Sequence, residues 1–424
     1  MKKLNKWEGI AAVIGVDWGD SGKGRLIDDL AQNAQVVARF NGGSNTGHTI
    51  ENRFGKFALH IMPSGIFNPK ALCLIGRGVV VDLESLVDDE FKQLQEARVH
   101  WKNLVIDEAA SLVMPWHKLK DGLRESSRRE KIGTTGRGVG PAYADRMERV
   151  ALQVASLYKG DFPKLLKEEI DFQNKYFNLN LSYSQTLSKF QKYARDIKPF
   201  IGQTIPILKK SREKGNNVLF EGAQGWLLDI DAGTYPFVTS SNPGIVGIWR
   251  SFDLHPQKIN RVIGITKAYT TRVGAGPMPT KINGPESLIV IQKGHEIGTT
   301  SGRTRDPGWL DLVLLQAAVE ANGVTDIALT KLDIFSGFRK IKLCIGYTTD
   351  GKKVDYPSGS ADLFSKCKPV YQDIEPWHED ISKVREFKNL PEAAQNYIRT
   401  IEKFINVPIT FIGVGPKREE AIYV

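Results

Sequence analysis

Apolar residues cluster in short runs along this chain, at Ala11–Val16, Val36–Phe40, Ala71–Ile75, Asn217–Phe220, Arg261–Thr266, Asp326–Leu329, Ile341–Tyr347 and Pro408–Gly413. Each is of strand length. Between several of them lie longer stretches in which apolar residues recur at helical period, such as Leu83–Ala97 and Leu310–Ala321. Strands alternating with helices predict an α/β fold, with a large, mainly parallel, twisted sheet flanked by helices. Loops rich in Gly, Thr, Ser and Asn follow the strands, where such folds place ligands. The segment 159–213 is charged, aromatic and helical in character, and reads as a helical insertion. No internal repeat, low-complexity tract or linker interrupts the pattern, so residues 1–424 are expected to form a single domain.

The first strand runs into Gly15-Val16-Asp17-Trp18-Gly19-Asp20-Ser21-Gly22-Lys23-Gly24-Arg25, followed by the amphipathic run Leu26, Ile27 and Leu30. Glycines at this density let backbone N–H groups close around an anion, and the following helix aims its N-terminus at it. This is a P-loop-like phosphate site with altered spacing. In the common G-x-x-x-x-G-K-[ST] pattern the first glycine would fall on Asp17 and the hydroxyl on Gly24. The usual magnesium hydroxyl is therefore missing, and Asp20 is the replacement metal ligand or base.

Further clusters carry polar groups on glycine-rich turns. Phe40–Thr49 presents Asn45 and His48 after two glycines, and Gly133–Tyr143 combines Thr134, Thr135 and Arg137 ahead of Arg146 and Arg149. Threonines, exposed amides and forked arginine donors suit a phosphate monoester. Phe220-Glu221-Gly222-Ala223-Gln224-Gly225 leads on to Thr239, and a glutamine held among small residues can read the edge of a base. The loop Gly298–Arg305, with Thr299, Thr300, Ser301, Arg303 and Arg305, suits a substrate bearing a carboxylate. Thr330-Lys331-Leu332-Asp333 follows an apolar run and places an aspartate where it can pair with N1–H and N2–H of guanine.

Composition narrows the partners. Lysine and arginine exceed the acids by ten, but the charges are dispersed, which argues for small anionic ligands and against nucleic acid. Three cysteines, Cys73, Cys344 and Cys367, stand far apart and in no metal spacing, so a reducing, cytoplasmic setting is expected. No run of about eighteen apolar residues occurs, so no membrane partner is expected.

Taken in order over nearly the whole chain, these clusters resemble the adenylosuccinate synthetase family, whose members join L-aspartate to IMP with cleavage of GTP. The likeness extends through Glu221–Asn242, Lys267–Pro277 and the Gly415-Pro416 turn. The resemblance implies that Asp20 takes the N1 proton of the purine and binds Mg2+, that the Gly47 carbonyl joins the metal shell, and that His48 acts as the acid toward the transferring phosphate. It places Lys23 and Gln224 with them in catalysis. Asn45, Thr135, Gln224, Thr239, Val273 and Arg303 correspond to the IMP site, with Arg149 reaching into the site of a neighbouring subunit, which implies a homodimer. Thr299, Thr300, Ser301, Arg303 and Arg305 correspond to the aspartate site. GTP is the co-substrate, and Gly19, Asp20, Ser21, Gly22, Lys23, Gly24, Gly47, His48, Thr49, Lys331, Asp333, Gly415 and Pro416 correspond to its site. Lys56 matches a further family lysine near the active site.

The chain departs from the family pattern G-D-E-G-K-G-K at Ser21 and Arg25, and also at Ser44, Trp226, Thr304, Asp306 and the segment Asn242–Ile245. A serine in place of glutamate would leave space and an acceptor for a 2-amino group if that side chain lies near C2 of the purine. The alternative substrate is then GMP or dGMP, as in viral relatives that make 2-aminoadenylosuccinate, with ATP as the alternative triphosphate.

Overall fold

A computed structural model describes residues 7–298, 302–356 and 360–424. Its centre is a sheet with ten strands among the described residues: β1 (Ile10–Gly15), β2 (Val36–Arg39), β3 (Leu72–Ile75), β4 (Leu104–Asp107), β5 (Ile201–Gly202), β6 (Val218–Glu221), β7 (Arg261–Lys267), β8 (Asp326–Thr330), β9 (Ile409–Gly413) and β10 (Ala421–Tyr423). The spatial order is β10-β9-β8-β7-β1-β6-β2-β3-β4-β5. Every pairing is parallel except β9 with β10. The expected parallel α/β architecture is therefore present.

Both faces of the sheet are covered, which explains why the central strands are continuously apolar. Along β1, Ile10, Ala12 and Ile14 enter one core while Ala11 and Val13 enter the other. Helices Leu312–Asn322 and Glu392–Ile405 pack on the first face, together with the antiparallel strand Ile341–Thr349. The second face takes helix Lys23–Leu30 and side chains from the segment 159–213, where Leu166, Ile170, Phe190, Tyr193 and Ile197 are buried. That segment holds helices Phe162–Phe177, Tyr183–Ile197 and Thr204–Glu213, and between the last two it contributes β5 to the sheet edge.

The helical period over Leu83–Ala97 resolves into a wide π-helix at Glu84–Phe91 that continues as an α-helix over Lys92–Glu96. The buried Glu90 carboxylate accepts from the Ile61 and Met62 N–H groups at 2.9 and 2.8 Å, a demand that hydrophobic period alone does not reveal. All nine parallel strands point the same way, so the loops that follow β1, β2, β6, β7, β8 and β9 gather along one edge of the sheet.

Candidate active site

The loop after β1 is shaped by backbone that turns left-handed at Gly19, Asp20 and Gly22, with φ of 90°, 55° and 85°. Its floor is the turn after β6. A Cβ on Gly225 would stand 2.2 Å from the Asp17 carbonyl and 2.5 Å from the Gly19 nitrogen, so the two loops can touch only with glycine there. Lys23, buried at the start of its helix, donates to the Gln224 carbonyl at 2.5 Å. Burial lowers its pKa, against the pull of Asp17 and Asp20. Ser21 does not offer a free hydroxyl: Oγ donates to Asp17 Oδ1 at 2.6 Å, and its carbonyl accepts from Thr330 at 2.8 Å. Arg25 extends its fork to the carbonyls of Gly415 and Glu420, tying the loop to the turn after β9.

On one side of this loop lies His48, at the start of strand His48–Asn52. Its Nδ1 is 2.5 Å from Glu221 Oε1, whereas Nε2 has no hydrogen-bond partner among the described residues. Glu221, the last residue of β6, also accepts from the Ser64 N–H and hydroxyl at 2.7 and 2.8 Å. Burial lowers the His48 pKa, and Glu221 opposes that shift. For Glu221 burial works upward, but His48, Arg39 and the Ser64 N–H outweigh it and hold the carboxyl low. Beside them Gln224, itself at φ 57°, donates to Asn45 Oδ1 at 3.1 Å and to Thr46 Oγ1 at 2.8 Å, and Asn45 reaches Thr239 at 3.4 Å.

On the other side, Arg305 Nε donates to Asp20 Oδ2 at 2.8 Å and its Nη1 to Glu296 Oε2 at 2.9 Å. Lys331, at φ 59°, donates to Glu296 Oε1 at 2.6 Å and to the Gly294 carbonyl at 2.7 Å. Burial and Lys267 lower the Lys331 pKa to about 8, while burial raises that of Asp333 to about 6. Arg303 donates to the Gly133 carbonyl at 2.9 Å, joining the 133–143 turn to the loop that leads to Arg305.

These groups line one cavity of about 1360 Å³. Gly19 through Gly24, Asn45, Gly47, His48, Thr49, Lys56, Thr135, Gln224, Thr239, Val273, Arg303, Arg305, Lys331, Asp333, Gly415 and Pro416 all face it. Arg149 does not line it: exposed and at φ 71°, it caps helix Val139–Glu148 beside Met147 and Val150, both exposed apolar residues. Thr299, Thr300 and Ser301 lie outside the described residues.

Sequence reading assigned no role to Glu221, although it stands inside the quoted turn motif, and none to Glu296, whose partners are remote along the chain. It also missed Arg272, which stacks 4.1 Å from the Trp18 ring on the cavity wall. The described residues contain no group of three or more His, Cys, Asp or Glu that could hold a metal, and no helix long and apolar enough to cross a membrane.

The family model for adenylosuccinate synthetase matches residues 12–422. The adenylosuccinate synthetase of Halothermothrix orenii is 44% identical over 421 residues, covering 98% of both chains. That of Clostridium botulinum strain Alaska E43 is 43% identical over 418 residues, covering 97% of this chain and 98% of its own. Among solved structures, the fully ligated adenylosuccinate synthetase of Plasmodium falciparum superposes with a TM-score of 0.94 at 35% identity, over 98% of this chain and 100% of that one. A cyanophage S-2L succinoaminodeoxyadenylate synthetase bound to dGMP and dATP shares the fold at a TM-score of 0.64, with 17% identity over 99% of this chain and 96% of that one. The chain belongs to the adenylosuccinate synthetase family and is a ligase.

Proposed function

We propose that this ligase joins L-aspartate to IMP through a 6-phosphoryl-IMP intermediate, giving adenylosuccinate, GDP and phosphate, with the residue roles that follow. The 6-oxygen of the purine is a poor leaving group and must first become a phosphate ester. Asp20 removes the N1 proton, which places negative charge on that oxygen and lets it attack the γ-phosphate of GTP. Arg305, 2.8 Å from Asp20, holds the carboxylate aimed. Lys23 and the His48 Nε2 face the transferring group and offset its charge. An arriving phosphoryl group raises the His48 pKa, and Glu221 at Nδ1 keeps the ring turned so that a proton on Nε2 points into the cavity. The amine of aspartate, its carboxylates held by Arg303, Arg305 and the loop 299–301, then displaces phosphate at C6.

Gln224, Asn45, Thr135, Thr239 and Val273 hold the monophosphate nucleotide. Asp333, Lys331 and the Gly415-Pro416 turn hold guanine, while the glycine-rich loop with Ser21 and Thr49 cradles the phosphates. Mg2+ fits this donor set, because magnesium needs only one or two protein oxygens beside nucleotide phosphates and water. Asp20 Oδ1 and the Gly47 carbonyl would hold it, and it would neutralise phosphate charge. Arg149 is exposed beside exposed apolar side chains and does not line its own cavity, which supports a homodimer in which it completes the partner's nucleotide site. The three cysteines are free and buried, in keeping with a cytoplasmic setting. The whole chain works as one domain.

The observation that carries this reading is that every described residue assigned to IMP, aspartate or GTP, Arg149 excepted, lines the same cavity. IMP is favoured over GMP or dGMP because the relatives at 43 to 44% identity are adenylosuccinate synthetases, whereas the synthetase bound to dGMP shares only 17% identity. The test is phosphate release with aspartate, crossing IMP, GMP and dGMP against GTP and ATP. IMP with GTP is expected to be fastest, with the 6-oxygen recovered in the released phosphate. No transfer of that oxygen would overturn the mechanism.

A further inference from the structure

Glu296 is completely buried, yet four donors from three segments converge on its two oxygens. Oε1 accepts from Lys331 at 2.6 Å, from the Tyr269 hydroxyl at 2.5 Å and from Lys267 at 3.4 Å. Oε2 accepts from Arg305 at 2.9 Å, and the Glu296 backbone carbonyl accepts from the Arg305 N–H at the same distance. Burial pushes this carboxyl upward, but Lys267 and Lys331 hold it well below the usual range, so it is an anion throughout. Lys267 is itself fully buried, so without Glu296 it and Lys331 would lose their carboxylate partner in low dielectric, and Arg305 would keep only Asp20.

One oxygen thus holds the lysine of the guanine pocket, and the other holds the arginine of the aspartate pocket, which in turn grips Asp20. We propose that Glu296 is a positioning residue through which occupancy of the guanine pocket tightens aspartate binding, an inference that rests on the function proposed above. A base lying on the Lys331 stem fixes the ammonium, the ammonium fixes the plane of the carboxylate, and the carboxylate fixes Arg305. The ordering cost is then borne once, and the second ligand binds to an arginine already in place.

The test is the aspartate KM measured with IMP saturating, at GTP well below and well above its own KM, in wild type and in Glu296→Gln. Wild type is expected to show an aspartate KM about fivefold or more lower at high GTP, the lower end of usual coupling factors. In Glu296→Gln the two values are expected to coincide. A folded Glu296→Gln protein, judged by a cooperative thermal transition, that keeps the wild-type ratio overturns the proposal. So does a wild-type aspartate KM that ignores GTP. Should Glu296→Gln not fold, Lys331→Met decides: its aspartate KM at saturating GTP is expected to rise by the same factor, and an unchanged value overturns the proposal. A wild-type protein that turns over no IMP with GTP and aspartate refutes the function itself, a result distinct from an active enzyme without coupling.

Discussion

Two glutamates without exposed surface flank the β1 loop, Glu221 at the end of β6 and Glu296 against Lys267 at the end of β7, and they serve the site in opposite ways. Glu221 faces a ring whose pKa burial lowers, and its charge opposes that shift, so it decides how readily His48 holds a proton. Glu296 faces lysines and an arginine, so its charge decides first where those cations stand, and it also raises the Lys331 pKa against burial. The same residue type at the same burial is therefore a proton-affinity device on one side and a geometric anchor on the other. The partner's chemistry makes the difference.

The sharpest break in this comparison is His48→Asn. Phosphoryl transfer is expected to fall by about 10³-fold or more, within the range for loss of a positioned acid. In that background Glu221→Gln should add almost nothing, since it acts only through the ring. Asp20→Asn is expected to be as severe, with both variants folded. Single-turnover phosphate release measures all three, and substantial turnover in either single variant would refute the assigned roles.

Glu221→Gln alone is expected to lower kcat by about 10- to 100-fold, the scale of loss when a group that orients a functional histidine is removed. KM values should change little. Glu221 raises the His48 pKa, so its removal lowers it. If protonated His48 is the working acid, activity must then decline at a lower pH than in wild type. A pH profile of kcat that does not move would assign Glu221 to structure alone. Glu296→Gln should show the converse, with KM values moving and the profile of kcat unmoved.

Arg149→Leu changes a side chain that bonds the Glu148 carbonyl and serves as the control. Its IMP KM is expected to rise about tenfold, the loss of one charge-assisted contact. Mixing it with Asp20→Asn subunits should restore activity in the mixed dimer. No rescue, with subunit exchange verified, would count against shared sites.

The smallest effect concerns Asp333, raised by burial to about 6. Below that pH it takes up a proton, and one of the two acceptors that guanine N1–H and N2–H require becomes a donor. The GTP KM is therefore expected to rise a few-fold between pH 7 and pH 5.5, and Asp333→Asn should flatten that slope.

The phosphate loop, the Asn45/His48 turn and the Lys331/Asp333 tetrapeptide were legible because each is a local pattern, set by glycine spacing next to an apolar run. Charge partnerships were not. Asp20 and Arg305 are 285 residues apart, and Glu296 and Lys331 are 35 apart, so nothing in local spacing pairs them. Strand β4 and the two-residue β5 also escaped notice, because such short runs gain their identity from neighbours already in the sheet. The Ser21 substitution was visible, but its meaning depended on where the hydroxyl turns, and Asp17 receives it.

The grip of Arg25 on Gly415 and Glu420 has a consequence for biosynthesis. The loop after β1 is synthesised well before the turn after β9, which lies 390 residues further along the chain. A nascent polypeptide interrupted before β9 has made the cradle, and no tight seat for the nucleotide. Ligand can thus reward only molecules in which the two loops have met, so added GTP is expected to shield those from proteases and leave products truncated before β9 to be cleared.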